Sequence, residues 1–250
     1  MNKTLLCHFY NEEYLLPFFV KHHLEIFDRG VFINYNSTDN SVDIIREYCP
    51  DEKQWLIIDT KEPEFDAERL DREVESFERR ISGWKMCLNV TEFLIGDIDT
   101  LCNQHSEQFF VKSIPMIDIE ENIGKDISIN KPIYEQRSHG IINVDVNKPD
   151  QIYINRSPRS MHQINVTYPT GRHYWNQETV DKAAILWYGY SPFNETLLKR
   201  KTQISNKVSK RDKKLNLGFQ HHFNNSELGQ KHKNYLPYIE DLTHEINRLL

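Results

Sequence analysis

At 250 residues, with 38% hydrophobic, 27% charged and 12% aromatic residues, the chain has a globular composition and is long enough for one sizeable core, so a single domain with an appendage is expected. A formal net charge of −6 leaves no basic footprint for nucleic acid, and none is expected as a partner. No window reaches the ~18 apolar residues of a membrane span and residues 1–10 carry no leader pattern, so the expected setting is cytoplasmic, with no transmembrane segment.

The four cysteines, Cys7, Cys49, Cys87 and Cys102, form no CxxC pair, and three sit in or beside apolar segments, where a buried thiol is the ordinary reading. Sequons such as Asn165-Val166-Thr167 matter only in a secretory compartment.

Taken in chain order, Thr4 to Phe9 reads as a first strand, followed by a helix with Asn11 as its N-cap and Glu12 and Glu13 in its first turn. Leu15, Leu16, Phe19, Ile26 and Phe27 carry its apolar face, and Gly30 closes the unit. Val31 to Tyr35 is a second strand, ending in the polar turn Asn36 to Ser41. Val42, Ile44, Ile45 and Tyr48 mark a second helix, and Trp55 to Asp59 a third strand. Residues 66 to 80 form a charged helix with Glu68/Arg72 and Glu75/Arg79 at i,i+4 spacing. The strand opening at Trp84 follows. This alternation predicts an α/β fold with a mostly parallel sheet covered by helices on both faces. Residues 1–102 form the α/β half, and 103–250 an acceptor-side and closing region of the same domain.

Beyond residue 103 the pattern loosens. Phe109 to Val111, Gly140 to Val144 and Gln151 to Ile154 read as short strands among Pro- and Gly-bearing loops. Lys199, Arg200, Lys201, Lys207, Lys210, Arg211, Lys213 and Lys214 make a basic stretch read as a solvated face, one or two of whose members close over a ligand. The same stretch leaves room for peripheral contact with an anionic membrane. Tyr235 to Leu250 reads as a closing helix.

Three strand ends deliver polar clusters to one sheet edge: Tyr10-Asn11-Glu12-Glu13, Asn36-Ser37-Thr38-Asp39 and Asn89 to Glu92. Ligands of open α/β sheets bind at that edge, and such clusters suit a nucleotide, so Tyr10, Asn11, Glu12, Asn36, Asp39, Asn89 and Thr91 are its candidate contacts. The bland alternatives are helix caps at Asn11 and Ser41 and a turn at Asp39. Asp97-Ile98-Asp99 reads either as a ligand pair or as a turn with a helix N-cap after Gly96. His22-His23 reads as core, and nothing places His221-His222.

In their order, these motifs resemble the N-terminal half of GT-A glycosyltransferases, with family 2 and the related family 92-like (DUF23-type) enzymes nearest. The Asn11-Glu12 start, the His22-His23 helix, the Ser37-x-Asp39 turn and Asn89-Val90-Thr91-Glu92-Phe93 after a Trp-led strand carry the likeness over roughly residues 5–100. Weaker echoes occur at His162, at Trp187 to Ser191, and at Lys199 and Lys201. The family's Asp-x-Asp-Glu-Phe is here Asn-x-Thr-Glu-Phe. The resemblance implies sugar transfer from a nucleotide donor, usually a UDP sugar, to a glycan or small hydroxyl acceptor. It implies that Tyr10, Glu12 and Asp39 hold the nucleoside and that the Asn89–Glu92 cluster faces the diphosphate and its Mn²⁺ or Mg²⁺. Glu92 with His162, or Asp97 with Asp99, are the candidate metal ligands; neutralisation by basic groups without a metal stays open. Arg156, Arg159, Lys199 and Lys201 are candidate diphosphate or acceptor contacts, and the Gly171 to Trp175 run suits sugar. Glu135, His139 and Asp145 are candidate general bases for an inverting transfer. The rival reading is a glycosyltransferase-like module, without its Asp pair, that only binds a nucleotide sugar or glycan. A sugar-nucleotide pyrophosphorylase would need a Gly-rich phosphate loop after the first strand, which the sequence lacks.

Overall fold

The first strand, β1 (Lys3–Phe9), is buried on both sides and feeds two apolar layers. The computed structural model describes residues 2–142, 157–174, 176–217 and 223–250. The period-2 alternation of the strand sends Leu5, Cys7 and Phe9 to one face and Leu6 to the other. The first face packs on α1 (Leu16–His23) and α2 (Ser41–Tyr48) through Leu16, Phe19, Val20 and Ile45. The second packs on α3 (Ala67–Glu78) through Val74, with Val31, Ile33 and Cys87 from the neighbouring strands. Helices thus cover both faces of a parallel block in which β1 lies between β2 (Arg29–Asn34) and β4 (Trp84–Leu88), with β3 (Trp55–Asp59) outside β2. The expected α/β class is what the structure shows.

After β4 residues 89–91 turn the chain, and β5 (Glu92–Gly96) leaves the parallel block to pair with a later strand. The helix α4 (Ile98–Gln104) leads to β6 (Gln108–Ile117), then α5 (Ile133–Gln136), β7 (His139–Gly140), β8 (Arg159–His162) and β9 (Ala183–Tyr190). β8 runs antiparallel between β4 and β6, while β9 pairs parallel with β6 and antiparallel with β5. The chain ends in α6 (Glu195–Gln203), α7 (Lys210–Lys214), α8 (Asn225–Tyr235), β10 (Glu240–Asp241) and α9 (Thr243–Leu249). One apolar core spans β1, β4, β5, β6 and β9 and includes Trp84, Phe93, Val111, Ile185 and Leu186.

Three element boundaries differ from the sequence reading. The first helix begins at Leu16 rather than after Asn11, because Pro17 belongs in a first helical turn; Asn11 instead takes a left-handed φ of 49°. The closing segment is not one helix: a 3₁₀ turn at Leu236–Tyr238, where Pro237 interrupts it, separates α8 from α9. Gly140 sits in a two-residue strand, and the predicted strands at 143–144 and 151–154 lie outside the described residues. No helix among the described residues is long and apolar enough to cross a membrane.

Candidate functional site

A cavity of about 490 Å³ opens beyond the carboxyl ends of β1, β2 and β4, where an open α/β sheet places its ligands. Its floor comes from the strand ends: His8 near the end of β1 with Tyr10 and Glu12 after it, Tyr35 after β2, and Asn89 to Glu92 after β4. Asp71 of α3, Arg159 of β8, and Trp187, Gly189 and Tyr190 of β9 form the walls, with Gly171, Arg172 and His173 from a short 3₁₀ segment. Arg200, Lys201, Gln203 and Ile204 of the α6 region cover it.

The Asn89–Glu92 turn is held by hydrogen bonds of its own. Glu92 Oε2 accepts from Asn89 N at 2.8 Å, and Glu92 Oε1 accepts from Arg159 Nε at 3.0 Å and Nη2 at 2.6 Å. Arg159 Nη1 also donates to the carbonyls of Gly171 (3.0 Å) and Arg172 (2.7 Å). Gly171 and Arg172 occupy the left-handed region (φ 72° and 57°), which for Arg172 is a strained conformation. Asp71 fixes this pair: its Oδ2 accepts from Gly171 N and its Oδ1 from Arg172 Nη1, both at 2.6 Å. Arg172 Nη2 then donates to Asn89 Oδ1 at 3.1 Å. Two buried carboxylates therefore lock two buried guanidinium groups against the turn, in a setting where charge-assisted bonds are short and directional.

The opposite wall carries a second set of charges. Arg200 Nη1 donates to Glu12 Oε1 at 3.1 Å, and burial raises the Glu12 pKa while Arg200 pulls it back down. Lys201 Nζ lies 4.2 Å from the Tyr190 ring centroid and 5.9 Å from that of Trp187, while Lys207 lies 3.9 Å from that of Tyr10. Burial, reinforced by the neighbouring Arg200, lowers the Lys201 pKa to about 7. His8 and His173 are pushed down to about 3, chiefly by burial and then by the nearby arginines, so both rings are neutral.

Four residues that line this cavity each carry a fully buried polar atom with no hydrogen-bond partner among the described residues: His8 Nε2, Tyr35 Oη, Arg172 Nε and Arg200 Nε. A buried donor left unpaired costs about 1–3 kcal/mol. Four such residues therefore border one cavity.

Among the residues expected from sequence, Tyr10, Glu12, Asn89, Thr91, Glu92, Arg159 and Lys201 line the cavity together. Others hold the scaffold beside it. Asn11 Oδ1 accepts from Thr38 N (2.7 Å), and Asp39 accepts from Glu13 N and Ser41 N (both 3.0 Å), so Asp39 stitches two loops through its own carboxylate. Asn36 is exposed at a φ of 54°. Lys199 is exposed on α6 outside the lining.

The expected metal set does not converge. Asp97 caps α4, its Oδ1 accepting from Thr100 N at 3.0 Å; it follows the far end of the five-residue β5, which at about 3.3 Å per residue places it on the order of 15 Å from Glu92. Asp99 pairs with Lys3 at the start of β1, the opposite sheet edge. His162 is opposite Lys85 near the start of β4, three residues or about 10 Å down β8 from Arg159, and faces Glu78 at 3.5 Å. Glu135 and His139 lie on α5 and β7, outside the lining, and the latter's strand pairs with β10. Asp145, Arg156, Trp175, His221 and His222 lie outside the described residues.

Sequence reasoning missed Asp71 and His8. The signal for Asp71 was its place on the charged α3 beside the apolar positions Leu70 and Val74, where an acid is buried and needs a partner. His8 carried none, being one polar residue in an apolar strand.

No family model and no curated protein matches the chain. Solved structures do, at 10–12% identity. The mannosyltransferase PcManGT from Pyrobaculum calidifontis, solved with GDP-Man and Mn²⁺, is 12% identical with a TM-score of 0.42, over 94% of this chain and 69% of that one. HddC from Yersinia pseudotuberculosis is 11% identical with a TM-score of 0.38, over 76% of this chain and 95% of that one. TarS from S. aureus is 11% identical with a TM-score of 0.33; the match takes in 51% of this chain and only 23% of TarS.

Proposed function

We propose that the cavity binds a nucleotide sugar, with UDP as the nucleoside diphosphate, and that the protein is a GT-A-like glycosyltransferase. The observation that carries this reading is the group of orphaned polar atoms on His8, Tyr35, Arg172 and Arg200, gathered at the carboxyl edge of the parallel strands. The half-buried Tyr10 offers aromatic surface for a base, backed edge-on at 6.2 Å by the buried Tyr35. Arg172, Arg200 and Lys201 supply charge for a diphosphate, and the half-buried Trp187 supplies apolar surface for a sugar ring. In the transfer, the bond from the sugar's anomeric carbon to the diphosphate oxygen breaks and UDP leaves with its electron pair. The acceptor hydroxyl forms the new bond, and its proton passes to the departing diphosphate or to water. Cationic donors preorganised around the diphosphate stabilise the charge that builds on it.

Calorimetric titration of UDP and of UDP sugars tests the reading, followed by an assay for slow donor hydrolysis. Binding with hydrolysis supports the transferase; binding without turnover favours a nucleotide-sugar receptor, and absence of UDP binding overturns both. Tyr35→Phe sharpens the test. Removing a hydroxyl without a partner leaves the unfolding midpoint unchanged or higher, while UDP affinity falls by about threefold or more, as for loss of one neutral hydrogen bond. Unchanged affinity removes Tyr35 from the site.

A further inference from the structure

The strand-end turn where a pair of carboxylates would hold a hard cation is already occupied by two guanidinium groups, each paired with a buried carboxylate. Its acceptors are taken: Asn89 Oδ1 by Arg172 Nη2 at 3.1 Å, Glu92 Oε1 by two nitrogens of Arg159, and Glu92 Oε2 by the Asn89 amide at 2.8 Å. The third polar side chain there, Thr91, is a neutral hydroxyl. A hard divalent ion seeks several open, preferably anionic, oxygens. Here it meets two carboxylates, Glu92 and Asp71, each engaged on both oxygens, and two fixed guanidinium groups that repel it. The residues present do not fit the metal.

They fit the opposite role. Arg172 is 92% buried, held in place by Asp71 and by its own left-handed backbone, and its Nε has no partner among the described residues. The arrangement holds a guanidinium rigidly in the wall of the cavity. Resting on the nucleotide reading above, we propose that Arg172, locked by Asp71 and flanked by Arg159, takes the place of a divalent cation, so that this protein binds its diphosphate donor without metal. Asn89 is then the fitting partner of Arg172: Asp71 already pairs the guanidinium, so an Asp at 89 would add a second negative charge beside it, whereas the amide oxygen accepts its hydrogen bond without adding charge.

The experiment is a calorimetric titration of wild-type protein with UDP, once in EDTA and once in excess Mn²⁺. The expected result is binding in both arms with affinities within about twofold, and no saturable uptake of Mn²⁺ by the protein without UDP, followed by electron paramagnetic resonance. Arg172→Lys keeps a charge opposite Asp71 but loses the forked geometry, and it weakens UDP in both arms by the same factor, about tenfold. Binding that requires Mn²⁺, or that Mn²⁺ strengthens by more than about tenfold, overturns the proposal while leaving the nucleotide reading intact. No UDP binding in either arm overturns the nucleotide reading and this one with it. An Arg172→Lys protein that folds as wild type and binds UDP equally well also overturns it.

Discussion

At the scale of single residues, Lys201 is the group whose chemistry is most altered by its surroundings. It faces Trp187 and Tyr190 of β9, Arg200 on its own helix, Glu12 from the loop after β1 and Lys231 from α8; burial and the two cations lower its pKa, and Glu12 opposes them. Its folded pKa of about 7 lies below the ordinary 10.5, so between these values the unfolded chain holds the extra proton. This group's contribution to stability therefore rises with pH across that window and is lost as pH falls through about 7. Ligand affinity runs the other way, because a bound diphosphate favours the ammonium. The affinity for a UDP sugar, whose diphosphate has no proton titrating near neutrality, should fall as pH rises through about 7, and Lys201→Arg should flatten the profile. A flat wild-type profile would remove Lys201 from the diphosphate contacts.

At the scale of elements, the cover of the cavity depends on a seam between the start of α3 and the start of α7. Phe65 N donates to Lys207 O (2.8 Å) and Ser209 N to Phe65 O (2.7 Å), forming a parallel bridge between Phe65 and Val208. Asp66 caps α3 through Arg69 N and also accepts from Ser209 Oγ and Arg211. Asp212, buried in α7, accepts from Ala67 N at 2.8 Å. This seam fixes Lys207 over Tyr10 and Ile204 against Tyr35. Asp66→Ala removes the cap and one side of the seam and should lower stability by about 1–2 kcal/mol in urea unfolding. UDP binding should weaken alongside, since the same seam holds the cover in place; an intact midpoint would mean the seam holds without it. The charges of 199–214 read in sequence as a solvated face, yet Arg200 and Lys201 line the cavity and Arg211 pairs with α3. A run of Lys and Arg has no period that tells exposed from recruited members. The partners that recruit them are over 100 residues away.

At the scale of the whole molecule, the Glu92–Arg159 pair joins β5 to β8, elements that follow different paths through the sheet. Arg159→Met leaves the Glu92 carboxylate buried without its partner and should cost about 3–5 kcal/mol by urea unfolding, whereas a Glu92→Leu/Arg159→Met double variant should recover most of the loss. A small loss in the single variant would show that the pair does not bear on stability.

The sequence by itself determined the parallel β-α-β block, because alternating apolar strands and amphipathic helices have one way to bury both sheet faces, and the polar clusters that end those strands emerge at one edge. That is why Tyr10, Glu12, Asn89, Thr91 and Glu92 were legible as one site. Only the tertiary structure decided what surrounds them. The β8 register sets Arg159 at the cavity and His162 away from it, although three residues separate them; the left-handed turn at Gly171-Arg172 and the burial of Asp71 bring a guanidinium to Asn89. Spacing along a chain fixes which side chains share a face. Which charge meets which across two strands and a loop is fixed by folding, because a buried charge is stable only where its partner is delivered to it.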